Sequence, residues 1–386
     1  MGDGRAAVVV GGGIGGLAAS ASLLRHGWEV TILERAPRFG EIGAGLAVTA
    51  NGMAALDAIG SGDAVRAAGH RLASLTYRNG RGRRLAALPV TPATTAVGIH
   101  RRRLHDALLA AVAGAHLVAG AEVVGVDPGD AGGARAGVRW RDAVGELRRE
   151  ADLVVGADGL RSAVRSVLWP GSGPSYSGAT CWRAVVDDTA GTLPVDDGFT
   201  TFWGAGADAG VLSTGRDGVY WYLYLLHPPG ATFDDELGTA RRAVDGWAPE
   251  LTELVAATDP SNLVRHDVFH VAPPLPSYVR GRVALAGDAA HALVPTMGQG
   301  ANTALEDGVT LGPLLRGADL AAGLRAYDTA RRPRTQRIAR RSLQVQRMGA
   351  DLVGRWPRAV RDALLRLTPP GPMARAGARD ITWTPP

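Results

Sequence analysis

The sequence predicts an α/β fold in which a nucleotide-binding sheet is assembled from separated pieces of the chain. Three short apolar runs, at residues 6–10, 153–155 and 283–286, are typical of strands buried on both faces, and each ends in a glycine-containing turn. Residues 169–276 lie between the last two runs and mostly show the alternation of antiparallel strands. Residues 320–367 are rich in Arg and follow a helical pattern. We therefore expect a β-rich insertion and a C-terminal helical segment.

The length of 386 residues suffices for two domains. The predicted division is residues 1–71, 95–168 and 277–320 for the nucleotide-binding domain, residues 72–94 and 169–276 for the β-rich domain, and residues 321–386 for the helical segment. Asn51 is expected to cap a helix over residues 51–59, and residues 170–174 are a Gly- and Pro-rich break. The Pro- and Gly-rich end of the chain is expected to be loosely held.

Composition disfavours several classes of protein. The net charge is +5, all 42 basic residues are Arg, and they are scattered among acidic residues, so a nucleic-acid partner is not expected. The single cysteine, Cys181, excludes an intrachain disulfide and a multi-cysteine metal site, and we expect it to be a small buried residue. No metal is predicted. No leader or membrane-spanning segment is recognised, so we expect a cytoplasmic protein. The oligomeric state is not predicted.

The first motif is Gly11-x-Gly13-x-x-Gly16, which follows the first strand and opens a helix. Gly11 permits a tight turn, Gly13 lets a pyrophosphate approach the backbone, and Gly16 lets the helix and strand pack closely. Glu34 ends the second predicted strand, where its carboxylate can accept hydrogen bonds from ribose hydroxyls. This pattern predicts a Rossmann-like dinucleotide-binding unit.

Two further strands end in an Asp. Residues 155–165 place Asp158 in a turn after a buried strand, where it is either a ligand-binding residue or an ordinary helix cap. Residues 282–291 place Asp288 after another buried strand, where it can accept from a polyol or ribose hydroxyl. Residues 298–302 then form a glycine-rich turn that opens a helix, and such an N-terminus suits a group that becomes negative.

In this order and spacing, the three motifs resemble those of the single-component FAD-dependent monooxygenases of the para-hydroxybenzoate hydroxylase type, the class A flavoprotein hydroxylases. The resemblance covers roughly residues 6–365. Gly43-Ala44-Gly45-Leu46, followed by Asn51, is similar to the family's segment beside the flavin ring. Ile99-His100-Arg101 is similar to the start of a helix whose Arg contacts FAD.

The resemblance implies non-covalent FAD, with NADPH or NADH as reductant and O2 and a small molecule as substrates. NAD(P)H delivers a hydride to flavin N5, the reduced flavin and O2 form a C4a-hydroperoxide, and one oxygen atom passes to the substrate, which we expect to be aromatic or polyketide-like. The residues implied in FAD binding are Gly11, Gly13, Ile14, Gly16, Glu34, Arg35, Arg101, Val123, Asp158, Asp288, Gly298, Gln299, Gly300, Ala301 and Asn302.

No catalytic residue is predicted, because the stretch at residues 210–215 lacks the His and Tyr-Pro found in relatives that resemble salicylate hydroxylase. Pocket candidates are Tyr220, Tyr222 and Pro295. Alternation places Tyr220, Tyr222 and Tyr224 on one face of a strand, where they either wall a pocket or pack in the core. Arg183 and Trp203 are further pocket candidates, whereas Trp182 is expected in the core.

The remaining titratable residues are given structural interpretations. His291 is expected to be packed near the flavin loop, and His100 and His105 to lie on a helix face. The Arg-rich run at residues 331–341 is expected to be a solvated helix face.

Other functions on this fold stay open. An epoxidase or an isoprenoid-type reductase would need a long apolar groove, and a flavin-binding module would lack turnover. A flavin halogenase is set aside, because the chain has neither a Lys nor a Trp-x-Trp motif.

Overall fold

A computed structural model describes residues 4–40, 44–91, 94–188, 191, 193 and 195–386. Gly43 of the quoted flavin-ring segment lies outside these residues. The α/β prediction is confirmed, because helices pack around one mostly parallel sheet and a second, larger sheet is mostly antiparallel.

The described strands are β1 (Ala6–Val10), β2 (Glu29–Glu34), β3 (Gly45–Thr49), β4 (His70–Arg71), β5 (Ser74–Asn79), β6 (Arg84–Pro89), β7 (Ala96–His100), β8 (His116–Ala119), β9 (Glu122–Asp127), β10 (Ala136–Asp142), β11 (Gly145–Ala151), β12 (Leu153–Gly156), β13 (Gly173–Val186), β14 (Phe199–Trp203), β15 (Ala207–Ser213), β16 (Val219–Leu226), β17 (Val264–Ala272), β18 (Val279–Arg280) and β19 (Val283–Leu285).

The described helices are α1 (Ile14–Arg25), α2 (Ala50–Ala58), α3 (Gly62–Ala68), α4 (Arg101–Ala110), α5 (Ala163–Leu168), α6 (Glu236–Ala243), α7 (Pro249–Ala257), α8 (Asp288–His291), α9 (Gly300–Leu314), α10 (Leu320–Met348), α11 (Arg355–Leu367) and α12 (Pro370–Ile381).

The parallel sheet brings the three predicted strand ends together. Its order is β18-β19-β12-β1-β2-β8, and Val10 pairs with Gly156, which in turn pairs with Leu285. The strands β1, β12 and β19 are parallel and buried on both faces, as their unbroken apolar runs predict. Their carboxyl ends therefore meet at one edge of the sheet, where α/β proteins bind ligands.

The second sheet has seven strands in the order β17-β13-β16-β15-β14-β5-β6. One face packs against α6 and α7, with Trp221 and Leu223 fully buried in that layer. The break predicted at residues 170–174 is only partly correct, because β13 begins at Gly173. Pro174 is tolerated in the strand because β16, the neighbour on the other side, pairs only from Ala179 onward.

Two local predictions are wrong. Thr49, not Asn51, is the N-cap of α2, and Asn51 lies buried inside its first turn. The end of the chain is not loosely held, because α12 is anchored by an ion pair of 2.7 Å between Arg341 and Asp380, and Trp383 stacks against Arg331. Neither anchor follows a local sequence pattern, since each joins residues more than thirty positions apart.

Within the described ranges, no helix combines the length and the apolar character needed to cross a bilayer.

Candidate active site

The carboxyl edge of the parallel sheet opens into a cavity of about 430 Å³ that continues under the seven-stranded sheet. Each of the three strand ends contributes to its lining: Gly13 and Ile14 after β1, Ala157 and Gly159 after β12, and Gly287 and Asp288 after β19. The three glycine-containing motifs therefore share one crevice.

The turn after β1 requires glycine at two positions. Gly11 has φ +105°, and a Cβ there would strike the carbonyl oxygen of Ala157 on the neighbouring turn. A Cβ at Gly16 would strike the carbonyl oxygen of Gly11, so this glycine allows α1 to pack closely on β1. The first turn of α1 carries no acidic residue and no side-chain cap, which leaves its N–H groups open toward the crevice.

Glu34 shapes the same turn. Its carboxylate accepts hydrogen bonds from the backbone N–H of Gly12 and from that of Ala36, both at 2.7 Å. Arg35 beside it is exposed, and Val123 lies buried near the start of β9, outside the residues that line the cavity. Glu34 is thus oriented by the turn, with its side chain still partly exposed.

Asp158 lies beside the start of α5, whose N-cap residue is Ser162. Its carboxylate accepts from Ser162 Oγ at 2.6 Å and from the N–H of Val164 at 3.2 Å, at the start of α5. Burial raises the pKa of this carboxyl above its ordinary value, against the opposing effect of these hydrogen bonds.

Arg165 joins the second motif to the third. Its guanidinium is fully buried and donates to the carbonyl oxygens of Ala289 at 3.0 Å and Leu160 at 2.5 Å. The sequence places Arg165 at a fixed offset from Asp158 but does not reveal this bridge, because the acceptors are backbone atoms brought to it by the fold.

The third motif presents Asp288 and the start of α9. Asp288 is exposed and faces the cavity, which Pro295, Gly298, Gly300 and Ala301 also line. The turn at Gly298 has φ +63°.

Two predicted residues of that turn, Gln299 and Asn302, form side-chain hydrogen bonds with other residues of the protein. Gln299 donates to Thr49 Oγ1 at 3.1 Å, and Asn302 accepts from the N–H of Thr49 at 2.9 Å and donates to the carbonyl of Ala47. They attach the start of α9 to β3, whose residues Gly45–Ala47 form the opposite wall. Arg101, at the start of α4, also lines the cavity.

Beyond these residues the cavity becomes an aromatic chamber. Tyr220, Tyr222 and Tyr224 all line it, as one face of β16 should, and Trp221 on the other face is buried against α7. Further lining residues of the chamber include Arg183, Phe199, Leu212, His266 and Val268. Trp182 lies in the core and Trp203 is buried, and neither lines the cavity.

Burial controls the charges in and behind this chamber. Burial and the Arg183 guanidinium lower the pKa of His266 to about 4, so its imidazole is neutral at pH 7. Tyr222 donates from its hydroxyl to Asp208 at 3.3 Å, and complete burial raises the pKa of Asp208 to about 7. Arg183, which is hydrogen-bonded to Tyr220, is a cation in the chamber wall.

Two structural interpretations are wrong and a third is confirmed. His105 is buried rather than displayed on a helix face, with Nε2 at 2.9 Å from the carbonyl of Gly12. Arg331 is also fully buried, because Glu306 and Asp307 on α9 require a cation beside them. His291 is packed as expected, with Nε2 at 2.5 Å from Asp307.

The residues present fit FAD. The glycines of the first turn leave a cradle that a Cβ would fill, the α1 N-terminus suits a pyrophosphate, and the crevice is continuous with the aromatic chamber. Among the described residues no group of three His, Cys, Asp or Glu side chains is arranged to hold a metal.

Comparisons with known proteins agree with this geometry. The model of the FAD binding domain family matches residues 5–342. The aurachin C monooxygenase/isomerase of Stigmatella aurantiaca is 35% identical, over 100% of both chains. An FAD-dependent urate hydroxylase of Klebsiella pneumoniae is 32% identical over 84% of this chain and 85% of its own length. The crystal structure of Klebsiella pneumoniae HpxO complexed with FAD and uric acid superposes with a TM-score of 0.85 at 28% identity, covering 98% of this chain and 96% of that one.

Proposed function

The chain belongs to the FAD binding domain family of para-hydroxybenzoate hydroxylase-type monooxygenases, and we propose that it uses NAD(P)H and O2 to insert one oxygen atom into a small aromatic or heteroaromatic molecule. The observation that carries the proposal is the continuous cavity, which joins three glycine-containing strand ends to a chamber walled by Tyr220, Tyr222 and Tyr224. Bound FAD supplies the redox chemistry, by accepting a hydride from NAD(P)H and activating O2.

We assign the FAD-binding roles by position. The N-terminus of α1 and the Gly11–Gly16 turn hold the pyrophosphate, and Glu34 accepts from the ribose of the adenosine half. Asp288, which lines the cavity, would accept from the hydroxyls of the ribityl chain. The start of α9, with Gly300 and Ala301, would stabilise negative charge on the flavin ring through its N–H groups.

Three further predicted residues, Asp158, Gln299 and Asn302, have indirect roles in this assignment. Asp158 accepts from Ser162 and from the N–H of Val164, and so holds the turn that carries Gly159 into the cavity. Gln299 and Asn302 fix the start of α9 against β3. Arg101 lines the cavity opposite these elements.

The chamber residues bind and orient the substrate. The phenol rings offer flat apolar surface with hydroxyl groups that donate hydrogen bonds, a combination that suits an aromatic or heteroaromatic ring. Arg183 supplies a positive charge for a carbonyl or acidic oxygen of that ring. Tyr222 can pass a proton between the substrate and Asp208, to which its hydroxyl is hydrogen-bonded. Names of relatives point to the same class of substrate, since urate is a heteroaromatic compound.

The proposal is tested by a substrate screen on the FAD-loaded protein. Hydroxybenzoates, purines and 4-quinolones are added separately, NADH and NADPH oxidation is followed, and products are analysed by mass under ¹⁸O2. We expect one class to accelerate NAD(P)H oxidation and to gain a single ¹⁸O atom. A product without added oxygen would instead identify a reductase.

A matched pair of variants locates the reaction. Tyr222→Phe removes a chamber hydroxyl and should lower the rate of product formation, whereas Tyr176→Phe removes a hydroxyl that donates to His227 outside the chamber and should not. Equal rates in both variants would contradict the placement of the substrate.

A further inference from the structure

The helix α11 exposes an apolar stripe to solvent. Trp356, Val360, Leu364 and Leu367 have exposed fractions of 73%, 57%, 61% and 79%. Their spacing of four, four and three residues places them along one side of the helix. Val353, just before the helix, extends the stripe and is also exposed. Single exposed apolar residues are ordinary on a protein surface, but a row of large ones on one helix marks an interaction site.

The orientation of α11 is fixed by Arg361, which lies beside the apolar stripe and points into the protein. Arg361 is buried, with its guanidinium 5.1 Å from the centre of the Trp203 ring and its Nη1 donating to the carbonyl of Met348 at 3.1 Å. Asp362 accepts from Arg361 at 2.7 Å. The helix therefore turns an arginine toward the protein and its apolar stripe toward water, so the exposure is a property of the fold.

The charges of α11 indicate the kind of partner. Arg355, Arg358 and Arg366 lie on the same helix, and its only acidic residue, Asp362, is already paired with Arg361. Arg355 also lies 5.6 Å from the ring centre of Trp356. A helix with Trp and Leu on one face and Arg beside it has the composition of helices that lie in the headgroup region of anionic bilayers.

We propose that α11 docks the protein on an anionic lipid bilayer, with Trp356, Val360, Leu364 and Leu367 inserted among the acyl chains and with Arg355 and Arg366 on the phosphates. The helix has 13 residues, and at about 1.5 Å per residue it is too short to cross a bilayer of about 30 Å. It lies on the membrane surface. This docking is independent of the reaction proposed above.

The test is co-flotation of the FAD-loaded protein with vesicles of phosphatidylcholine, with and without phosphatidylglycerol. We expect binding to the phosphatidylglycerol vesicles, and weaker binding when the ionic strength rises from about 0.1 M to about 1 M, because the Debye length falls from about 10 Å to about 3 Å. The double variant Trp356→Ser, Leu364→Ser should lower the vesicle partition coefficient about tenfold or more.

The matched control is Val144→Ser, Leu147→Ser, which removes two exposed apolar side chains from the β10–β11 hairpin. It should bind vesicles as the unchanged protein does. Unchanged binding by the Trp356/Leu364 variant, or no binding by the unchanged protein, would overturn the proposal. So would light scattering that shows a dimer which this variant dissociates, because the stripe would then be a contact between two copies. FAD content and urea unfolding report that each variant is folded.

Discussion

Arg331 Nε donates to Asp307 Oδ1 at 2.7 Å, and both side chains are completely buried between α9 and α10. Arg331 also pairs with Glu306 at 2.5 Å, and Arg334 pairs with the same carboxylate at 2.7 Å. Asp307 accepts in addition from His291 and from the N–H of Gly287, the residue before Asp288. This ionic cluster therefore holds in place the turn that carries Gly287 and Asp288.

The cluster keeps the Asp307 carboxyl ionised. Burial alone would raise the pKa of Asp307, but His291 and Arg331 together hold it below its ordinary value. Asp307 thus remains ionised and keeps its hydrogen bond to the N–H of Gly287.

Replacing Arg331 should be strongly destabilising. Arg331→Met leaves Glu306 and Asp307 buried with less positive charge, and we expect the free energy of unfolding to fall by about 3–5 kcal/mol. The control is Arg332→Met, which breaks a partly exposed pair with Asp328 on the same helix and should cost less than about 1 kcal/mol. Urea unfolding measures both, and similar losses would show that the buried cluster is not special.

Gly11 is required by space as well as by conformation. Gly11→Ala places a methyl group against the Ala157 carbonyl, and we expect it to deform the turn and to abolish FAD retention. Gly27 is the matched control, since it too has a positive φ, of +82°, but a methyl group at that position would meet no other atom within 4 Å. Gly27→Ala should lower stability by about 1 kcal/mol and keep FAD. FAD content after gel filtration distinguishes the two, and retention by both variants would contradict the role of the turn.

Asp288 should contribute to cofactor affinity. Asp288→Ala removes the exposed carboxylate that faces the cavity, and we expect FAD to dissociate about 10- to 100-fold more readily, as for the loss of hydrogen bonds to a charged group. Asp106→Ala, at an exposed position of α4 outside the cavity lining, is the control. Titration of the apoprotein with FAD gives both constants, and an unchanged constant for Asp288→Ala would assign the motif a purely structural role.

The raised pKa of Asp208 should make the folded protein less stable as the pH rises. Its pKa is about 7 in the folded protein against 3.8 for the free side chain, so the folded state holds the proton more tightly. The contribution of Asp208 to the free energy of unfolding is therefore largest below about pH 4, and it is lost as the pH rises to about 7. Relative to Asp208→Asn, the unchanged protein should therefore lose stability across this window, by at most about 4 kcal/mol.

The comparison with Asp208→Asn is needed because His266 acts in the opposite sense. Its pKa is lowered to about 4, so its contribution to stability increases as the pH rises from about 4 to about 6.5. Urea unfolding of both proteins between pH 4 and pH 8 isolates Asp208. A difference that stays constant with pH would show that the carboxyl titrates normally.

The nucleotide-binding elements could be predicted from sequence because their signals are local. The glycine spacing of Gly11, Gly13 and Gly16 predicts a turn directly. Likewise, unbroken apolar runs predict that β1, β12 and β19 are buried on both faces. The alternation of β16 likewise places its three tyrosines on one face, and the structure turns that face toward the cavity.

The buried ionic cluster could not be predicted in the same way. Arg331 looks like its neighbours in an Arg-rich helix, and only the packing of α10 on α9 separates it from the exposed ones. The strand β17 has no clear sequence signal, because Arg265, His266 and Asp267 interrupt any alternation and pairing with β13 supplies the strand structure instead. The interior position of Asn51 depends on Glu306, which lies 255 residues away.

The most direct test of the account is the FAD content of the purified protein. We expect a yellow protein that releases about one FAD per chain on denaturation, without a covalent link, because the crevice offers backbone N–H groups at the starts of α1 and α9 and the Asp288 carboxylate as binding groups. A colourless protein that cannot be reconstituted with FAD would contradict the central claim that the three strand ends form one flavin site.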